Sequence, residues 1–257
     1  MYSKLATSGI LSFFEKIGRA HPLLYIFLRS LVRFTNIFEK DFDGVRLLNF
    51  NEKVNVMDVG ASDGIATKFL SNNLNTGSIY CFEPSPHYVK ILKNINVKNV
   101  IVKPFAIGDT NSHTYIFFPR YKFFNKTFDI VSYTSYGIRL LRHYMLDFKF
   151  RKNISIIKEK IFIKKISKMS KKIHLIKIDT NGNELFVIKG LMKIIIKDKP
   201  ALIVENNPDS AKIMKLLKKL SYTGLYYSIN SKKFTSKKNV HALNRYYLQK
   251  KHLIKNT

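Results

Sequence analysis

From Val54 onward, short apolar runs alternate with segments of helical periodicity, and this alternation restricts the chain to few architectures. Val54–Val59 reads as a strand, followed by a glycine-containing turn and a helix through Ile65, Phe69 and Leu70. Ser78–Phe82 is a second strand. After it, Ser85 and Pro86 supply an N-cap and a first-turn proline for a helix carrying Val89, Leu92 and Ile95. Asn99–Lys103, Ile173–Ile178 and Ala201–Val204 read as the third, fourth and fifth strands. The fourth leads into a helix ending near Gly190, where a left-handed C-terminal residue is easily placed. Asp209 can cap a helix bearing Ile213, Leu216, Leu217 and Leu220. Leu225–Ile229 and Asn244–Leu248 then resemble a closing strand pair. Strands alternating with helices imply an open, mostly parallel α/β sheet.

Two regions depart from this rhythm. Residues 1–50 read as a helical extension in which Leu24, Phe27, Leu28, Leu31, Phe34 and Phe38 recur at spacings of three or four, with Arg29 and Arg33 between them. Such a stripe packs against the rest of a protein or lies on a membrane surface. Within the main domain, 51–257, an insertion at about 113–172 holds two further strand candidates, His113–Phe118 and Ile154–Ile166, and an aromatic-rich piece, Tyr121–Phe150. The Lys-rich tracts Lys164–Lys172 and Lys232–Lys238 read as solvated loops.

Composition excludes several classes. The 257 residues are 46% hydrophobic, enough to bury a core and rule out disorder. A single cysteine, Cys81, excludes a disulfide scaffold and a Cys-based zinc site, and fits a reducing, cytoplasmic compartment. No apolar run approaches the roughly 18 residues of a membrane span, and the N-terminal stretch lacks a secretory pattern. The formal net charge of +28 points first to nucleic acid. Yet the basic residues are 36 Lys and only 9 Arg, beside 30 Ile and 21 Asn, which share AT-rich codons. Arg, the residue suited to forked phosphate contacts, is scarce. The excess therefore reads as a solvated, compositionally biased surface before it reads as a nucleic-acid face.

Open α/β sheets bind ligands beyond the C-terminal ends of their strands. Those ends are Asp58-Val59-Gly60-Ala61-Ser62-Asp63-Gly64, Phe82-Glu83-Pro84, Ala106-Ile107-Gly108-Asp109, Asp179-Thr180-Asn181-Gly182-Asn183-Glu184 and Glu205-Asn206-Asn207. Seven of the 17 acidic residues (Asp58, Asp63, Glu83, Asp109, Asp179, Glu184 and Glu205) therefore gather at one edge. Helix capping accounts for Asp63 and Glu184 but not for all seven. A cationic or hydroxyl-rich ligand does.

Gly60 and Gly64 give Gly-x-x-x-Gly rather than the Gly-x-Gly-x-x-Gly of dinucleotide binders. Asp58 before the turn and Asp63 inside it would repel a pyrophosphate. A cofactor with an ammonium, a sulfonium and a ribose but no phosphate suits this edge, and S-adenosylmethionine has those groups. Glu83, at the end of the adjacent strand, can accept both ribose hydroxyls.

The segments Val56–Gly64, Tyr80–Pro84, Ala106–Asp109 and Ile176–Glu184, in that order, resemble the FkbM family of class I S-adenosylmethionine-dependent methyltransferases over roughly residues 52–250. The resemblance implies a seven-stranded, mostly parallel sheet with a reversed last strand, and O-methylation, often of sugars or secondary-metabolite hydroxyls. It implies cofactor contacts from Asp58, Gly60, Ala61, Ser62, Gly64, Glu83, Pro84, Ala106 and Asp179. Among these, Asp58, Gly60, Ser62 and Gly64 would hold the methionine part, Glu83 the ribose and the Ala106 segment the adenine, with Asp179 near the methyl group. One position departs from the pattern: where the family usually has Glu, this chain has Asn181.

Methyl transfer from a sulfonium is an in-line displacement, so positioning supplies much of its acceleration, and a sugar hydroxyl gains from a nearby base. Asp179 is the first candidate base or orienter, Glu205 the second and Glu184 the third. A Mg²⁺ held by Asp179, Asn181, Glu205 and Asn206 is conceivable, but oxygen-ligand sites lack a spacing signature and no metal is assigned. His174 reads as a packed strand residue and Cys81 as core. Two other functions compete with glycan or small-molecule methylation. An RNA methyltransferase would suit the charge, but no exocyclic-amine methylase motif, catalytic Cys pair or RNA-binding module is present. A catalytically inert cofactor-fold module would suit Asn181 alone.

Overall fold

The computed structural model of the protein describes residues 39–129, 153–237 and 242–253, together with Leu24 and Phe27. Apart from those two helical, exposed residues, the apolar stripe of the N-terminal extension lies outside the described residues. The chain forms two compact units, Phe38–Ser112 with Ile163–Thr257, and Met1–Ile37 with His113–Phe162.

The first unit is built on an eight-stranded sheet. Its strands are β1 (Val54–Val59), β2 (Thr76–Phe82), β3 (Val100–Lys103), β8 (Leu175–Ile178), β9 (Ala201–Glu205), β10 (Thr223–Ser228), β11 (Lys233–Thr235) and β12 (Asn244–Leu248). They run in the order β11-β10-β12-β9-β8-β1-β2-β3. The pairs from β3 through β9 are parallel, while β12 is antiparallel to both β9 and β10. The expected sheet with a reversed last strand is present, and β11 adds an edge strand. That strand falls within Lys232–Lys238, read from sequence as a loop. Phe234 turns inward there, with its ring centroid 5.0 Å from that of Tyr246, while flanking lysines stay in solvent.

Parallel strands covered on both faces are apolar on both. Val54 and Val56 of β1 join Phe42, Phe69, Leu70 and Leu92 in one core, whereas Met57 and Val59 join Ile188, Ile195, Ile213 and Leu217 in the other. Helices α1 (Ile65–Asn73) and α2 (Pro86–Lys93), with the 3₁₀ segment Lys40–Leu47, cover the first face. Helices α3 (Glu184–Gly190), α4 (Met192–Asp198) and α5 (Ser210–Lys218) cover the second.

Three local expectations are corrected. Ser85 occupies the N-cap of α2, but its hydroxyl makes no capping bond and is buried without a hydrogen-bond partner. Its backbone N–H donates instead to Glu83 Oε1 at 2.9 Å. Asp209 likewise precedes α5 without capping it, because its carboxylate pairs with Lys212 at 2.8 Å. Gly190 does not adopt a left-handed conformation. A Cβ there would lie 2.1 Å from the carbonyl oxygen of Gly108, so the glycine permits a close backbone approach while the chain continues into α4. The left-handed residue is Lys199, after α4, at φ 48°.

In the same unit the two-residue strand β4 (Ala106–Ile107) pairs in parallel with Ile163 and Lys164. The second unit contains the expected insertion strands. β5 (Ser112–Phe123) and β6 (Lys126–Asp129) form an antiparallel hairpin, with Arg120 opposite Asp129 and its Nη2 2.9 Å from Oδ2. β7 (Ile154–Lys164) lies beside β5, with Lys158 Nζ 3.9 Å from the Tyr115 ring centroid. Beyond Asp129, the aromatic-rich piece lies outside the described residues.

Candidate active site

Register sets the site. Val59 pairs with Phe82 on one side and Ile178 on the other, and Ile178 pairs with Val204. The residues that follow, Gly60, Glu83, Asp179 and Glu205, therefore leave the sheet together at one edge. Across the antiparallel pair, Glu205 stands opposite Asn244.

The loop after β1 is bent by three left-handed residues, Gly60 (φ 74°), Ser62 (φ 51°) and Gly64 (φ 81°). At Gly60 a Cβ would lie 1.8 Å from the carbonyl oxygen of Asp179, so only glycine lets the loop pass the neighbouring strand end. Glu83 ties the loop to β2, its Oε2 accepting from the N–H of Ser62 and its Oε1 from that of Ser85, both at 2.9 Å. Burial pushes the Glu83 carboxyl up to about 7 despite those two donors.

Beneath the loop Asp58 is fully buried. Thr67 donates to its Oδ2 at 2.6 Å, and Lys177 Nζ meets Oδ1 at 3.2 Å as an ion pair rather than an aligned hydrogen bond. Lys177 also donates to the Gly60 carbonyl at 2.9 Å and lies 3.7 Å from Asp179 Oδ2. Burial opposes the Lys177 charge, but Asp58 and Asp179 outweigh it, and its pKa rises.

The turn from Asp179 to Glu184 is organised by Glu184 itself, which is fully buried. Its Oε1 accepts from the Thr180 N–H (2.8 Å), the Thr180 hydroxyl (3.1 Å) and the Gly182 N–H (3.1 Å), and its Oε2 accepts from the Asn207 amide. Asn181 is exposed and left-handed at φ 54°, a conformation that asparagine tolerates better than most side chains. Glu205 is hydrogen-bonded to Asp179. Burial first, then Asp179, Glu184 and Glu39, push its pKa up to about 9. Glu39 rises to about 8, through burial and then through Asp41 and Asp179.

The structure thus brings Asp179, Glu205 and Glu184 together and joins Asp58 to them through Lys177, with Glu83 and Ser62 on the adjoining loop. Gly60, Ala61 and Gly64 shape that loop, Pro84 follows Glu83 directly, and Ala106 sits in β4 after Phe105, whose ring is 5.6 Å from that of Phe82. Asp63 is buried within the loop. Asp109 stands apart, its backbone against Gly190 at the far end of α3. His174 is packed just before β8, accepting at Nδ1 from the Asn55 N–H and donating from Nε2 to Glu52, both at 2.9 Å. Cys81 is buried, and burial pushes its thiol up to about 12.

Sequence reasoning missed Lys177, Glu39 and Asn244. Lys177 was detectable as a charge between Ile176 and Ile178 in a run that must be buried. The other two carried no local signal. Among the described residues, no group of three or more His, Cys, Asp or Glu is arranged to hold a metal ion, and no helix is long and apolar enough to cross a membrane.

The methyltransferase FkbM domain model matches residues 58–223. Among curated proteins, none matches the chain. Solved structures similar to it include the methyltransferase FkbM from Methylobacillus flagellatus KT, at 16% identity and a TM-score of 0.49 over 79% of this chain. The chain spans 45% of that protein's length. M. capricolum TrmK in complex with S-adenosyl-homocysteine shows 12% identity and a TM-score of 0.42, covering 85% of this chain and 71% of that one. The plantazolicin methyltransferase BpumL, also in complex with S-adenosyl-homocysteine, shows 9% identity and a TM-score of 0.41, covering 94% and 99%.

Proposed function

The chain belongs to the FkbM methyltransferase family, and on that premise we propose that it methylates a hydroxyl of a sugar, glycan or related small molecule, using S-adenosylmethionine. The observation that carries this reading is the strand-end edge where Glu83, Asp179 and Glu205 meet a loop tight enough to demand glycine at position 60. Its side chains are acceptors and acids. A phosphate-bearing cofactor would need donors there, whereas a sulfonium, an ammonium and ribose hydroxyls match what is present.

The cofactor supplies a methyl group on a positively charged sulfur. Glu83, fixed by the Ser62 and Ser85 N–H groups, retains lone pairs to accept ribose hydroxyls. Gly60, Ala61, Ser62 and Gly64 present loop backbone to the methionine part, and Pro84 and Ala106 flank the adenine side. Asp58 works beneath them: buried against Thr67 and Lys177, it fixes the loop instead of touching ligand. Asp179 faces the acceptor. With the cofactor bound, its methyl group would be offered to the acceptor oxygen, and the Asp179 carboxylate would take the proton that leaves that oxygen. Glu205, hydrogen-bonded to Asp179, orients it. Glu184, saturated by its own turn, is a positioning residue.

The test has two stages. Calorimetry with S-adenosylhomocysteine should show binding that falls at least about tenfold in E83A, as expected for losing a charge-assisted hydrogen-bonded group. Labelled S-adenosylmethionine offered to glycan, lipid and RNA pools should then label the glycan or small hydroxylated acceptors. Label entering RNA alone would replace this reading with an RNA methyltransferase. Cofactor binding with no labelled pool would reduce the protein to a binding module.

A further inference from the structure

The second unit, Met1–Ile37 with His113–Phe162, differs in composition from the rest of the chain. It holds seven of the nine arginines and sets 15 Lys and Arg against 4 Asp and Glu. A codon bias toward lysine explains the general excess but not arginine gathered in one unit, and arginine is the residue suited to phosphate. The same unit carries six of the nine large apolar side chains exposed among the described residues: Leu24, Phe27, Tyr115, Phe123, Phe124 and Phe162. Exposed apolar groups concentrated in one region mark an interaction site, whereas scattered single ones do not.

The sharpest such feature is the end of the β5–β6 hairpin. Phe123 pairs with Lys126, so Phe124 and Asn125 form a two-residue turn. Such turns need a positive φ, which glycine and asparagine supply at little cost. Here the position is Phe124, at φ 49°, and the residue is 83% exposed. A bulky residue held left-handed is unfavourable for the fold, and its ring gains little in return. It meets Phe123 edge-on, with 4.7 Å between centroids, and Phe123 is itself 43% exposed. Across the hairpin Lys122 stands opposite Thr127 and Lys126 opposite Phe123, so neither faces an acid. The hairpin's one carboxylate, Asp129, is already paired with Arg120, at 2.9 Å between Oδ2 and Nη2. The tip therefore presents two aromatic rings flanked by two lysines.

We propose that this hairpin tip is a membrane-docking element: Phe123 and Phe124 enter the interface of an anionic phospholipid bilayer while Lys122 and Lys126 meet its phosphates. Long lysine stems let the ammonium groups stay among the headgroups while the rings go deeper. A bilayer suits the tip better than a macromolecular partner does. A folded protein would need a pocket for a protruding ring, and lysine is depleted in the cores of such interfaces. Single-stranded nucleic acid stacks on rings that line a basic groove, whereas Phe124 stands at a turn with most of its surface open. Docking of this kind fixes where the chain works and does not depend on what it methylates.

The experiment is sedimentation of the full chain with vesicles of phosphatidylglycerol and phosphatidylcholine in equal parts. The chain should bind these at least about tenfold more tightly than pure phosphatidylcholine, and salt should weaken the binding. Phe124→Ala should lower the affinity about tenfold or more, as expected for withdrawing one buried ring. Replacing Lys122 and Lys126 by Gln should cost about fivefold per lysine. The chain contains no tryptophan, so F124W supplies a unique reporter. Its emission should shift to the blue on the anionic vesicles and be quenched by brominated acyl chains. F124G separates docking from folding. Relief of the left-handed conformation offsets the greater chain entropy of glycine, so this variant should melt close to the unaltered protein and yet lose vesicle binding as F124A does. A clearly lower melting temperature in F124G would make the ring part of the fold and overturn the role. So would the absence of any preference for anionic vesicles, or vesicle binding that leaves F124W emission unshifted, because another surface would then carry it. A larger shift of F124W with oligouridylate than with vesicles would overturn it in favour of nucleic acid.

Discussion

Replacing Lys177 by Met tests whether one buried ammonium holds the loop after β1 together. Lys177 is 3% exposed and Asp58 0%, so water can compensate neither side of a broken pair. The substitution keeps most of the side-chain volume and deletes three interactions: 2.9 Å to the Gly60 carbonyl, 3.2 Å to Asp58 and 3.7 Å to Asp179. Removing one partner of a buried pair costs about 3–5 kcal/mol, because the other charge is left uncompensated. In a unit of this size each kcal/mol lowers the melting temperature by about 2–4 °C, so K177M should melt about 6–20 °C lower. The double variant D58N/K177M removes the stranded charge and should recover at least about half of that loss. Thermal melts and urea titrations of the four members of the cycle measure the coupling directly. S-adenosylhomocysteine affinity should fall in K177M, because the Gly60 carbonyl loses its anchor. A cost below about 1 kcal/mol, the scale of an exposed pair, would refute the reasoning. So would a double variant no more stable than K177M.

Two further predictions separate backbone geometry from electrostatics. Gly60→Ala puts a methyl against the Asp179 carbonyl at 1.8 Å in a left-handed backbone and should cost more than about 2 kcal/mol and weaken cofactor binding. Gly182→Ala, at φ 99° with nothing within 4 Å of the added atom, should cost only about 1 kcal/mol, and equal losses in chemical denaturation would reject the close-approach argument. His252 accepts at Nδ1 from the Gln249 N–H at 2.9 Å and donates from Nε2 to the Lys199 carbonyl at 3.0 Å, which fixes the neutral tautomer. Burial, then Lys251, lower its pKa from 6.5 to about 4. The unfolded chain therefore takes up the proton first. Its stability contribution is complete above about pH 6.5 and fades by up to about 3 kcal/mol as pH falls toward 4. Glu39, Glu83 and Glu205, with raised pKa values, tilt stability the other way in that window. The measurement is therefore the difference between the unaltered protein and H252Q, and a flat difference between pH 6.5 and 4 would rule the mechanism out.

The strands were legible because a parallel sheet covered on both faces requires unbroken apolar runs, and β1 and β12 have the boundaries their sequences imply. The strand-end acids were legible because register follows from those runs. What escaped has a common physical cause: roles set by distant partners. Glu184 reads as a base or a helix charge until Thr180, Gly182 and Asn207 are seen to saturate it. Ser85 reads as a cap until Glu83 takes its N–H. Gly190 reads as a helix stop until Gly108 is found pressed against it. Glu39 and Asn244 are 205 residues apart, and no local pattern could pair them.

Charge distribution connects these observations to chemistry. The chain carries +28, yet Asp41, Asp58, Asp179, Glu39, Glu83, Glu184 and Glu205 lie near one sheet edge around Lys177, the one buried ammonium among the described residues. A general lysine excess in solvent is screened over about 8–10 Å and does little for buried groups. The acids at the edge are therefore governed by one another, by backbone donors and by Lys177. Each donor is committed to a particular acid: Ser62 and Ser85 to Glu83, the β8–α3 turn to Glu184, Thr67 and Lys177 to Asp58. Asp179 and Glu205 stand beside one another outside these commitments, and they are the two carboxyls that the proposed hydroxyl acceptor would meet. Of the two, Glu205 has the pKa that burial and the carboxyls of Asp179, Glu184 and Glu39 raise, so replacing Glu39, which need not touch a substrate, should lower it.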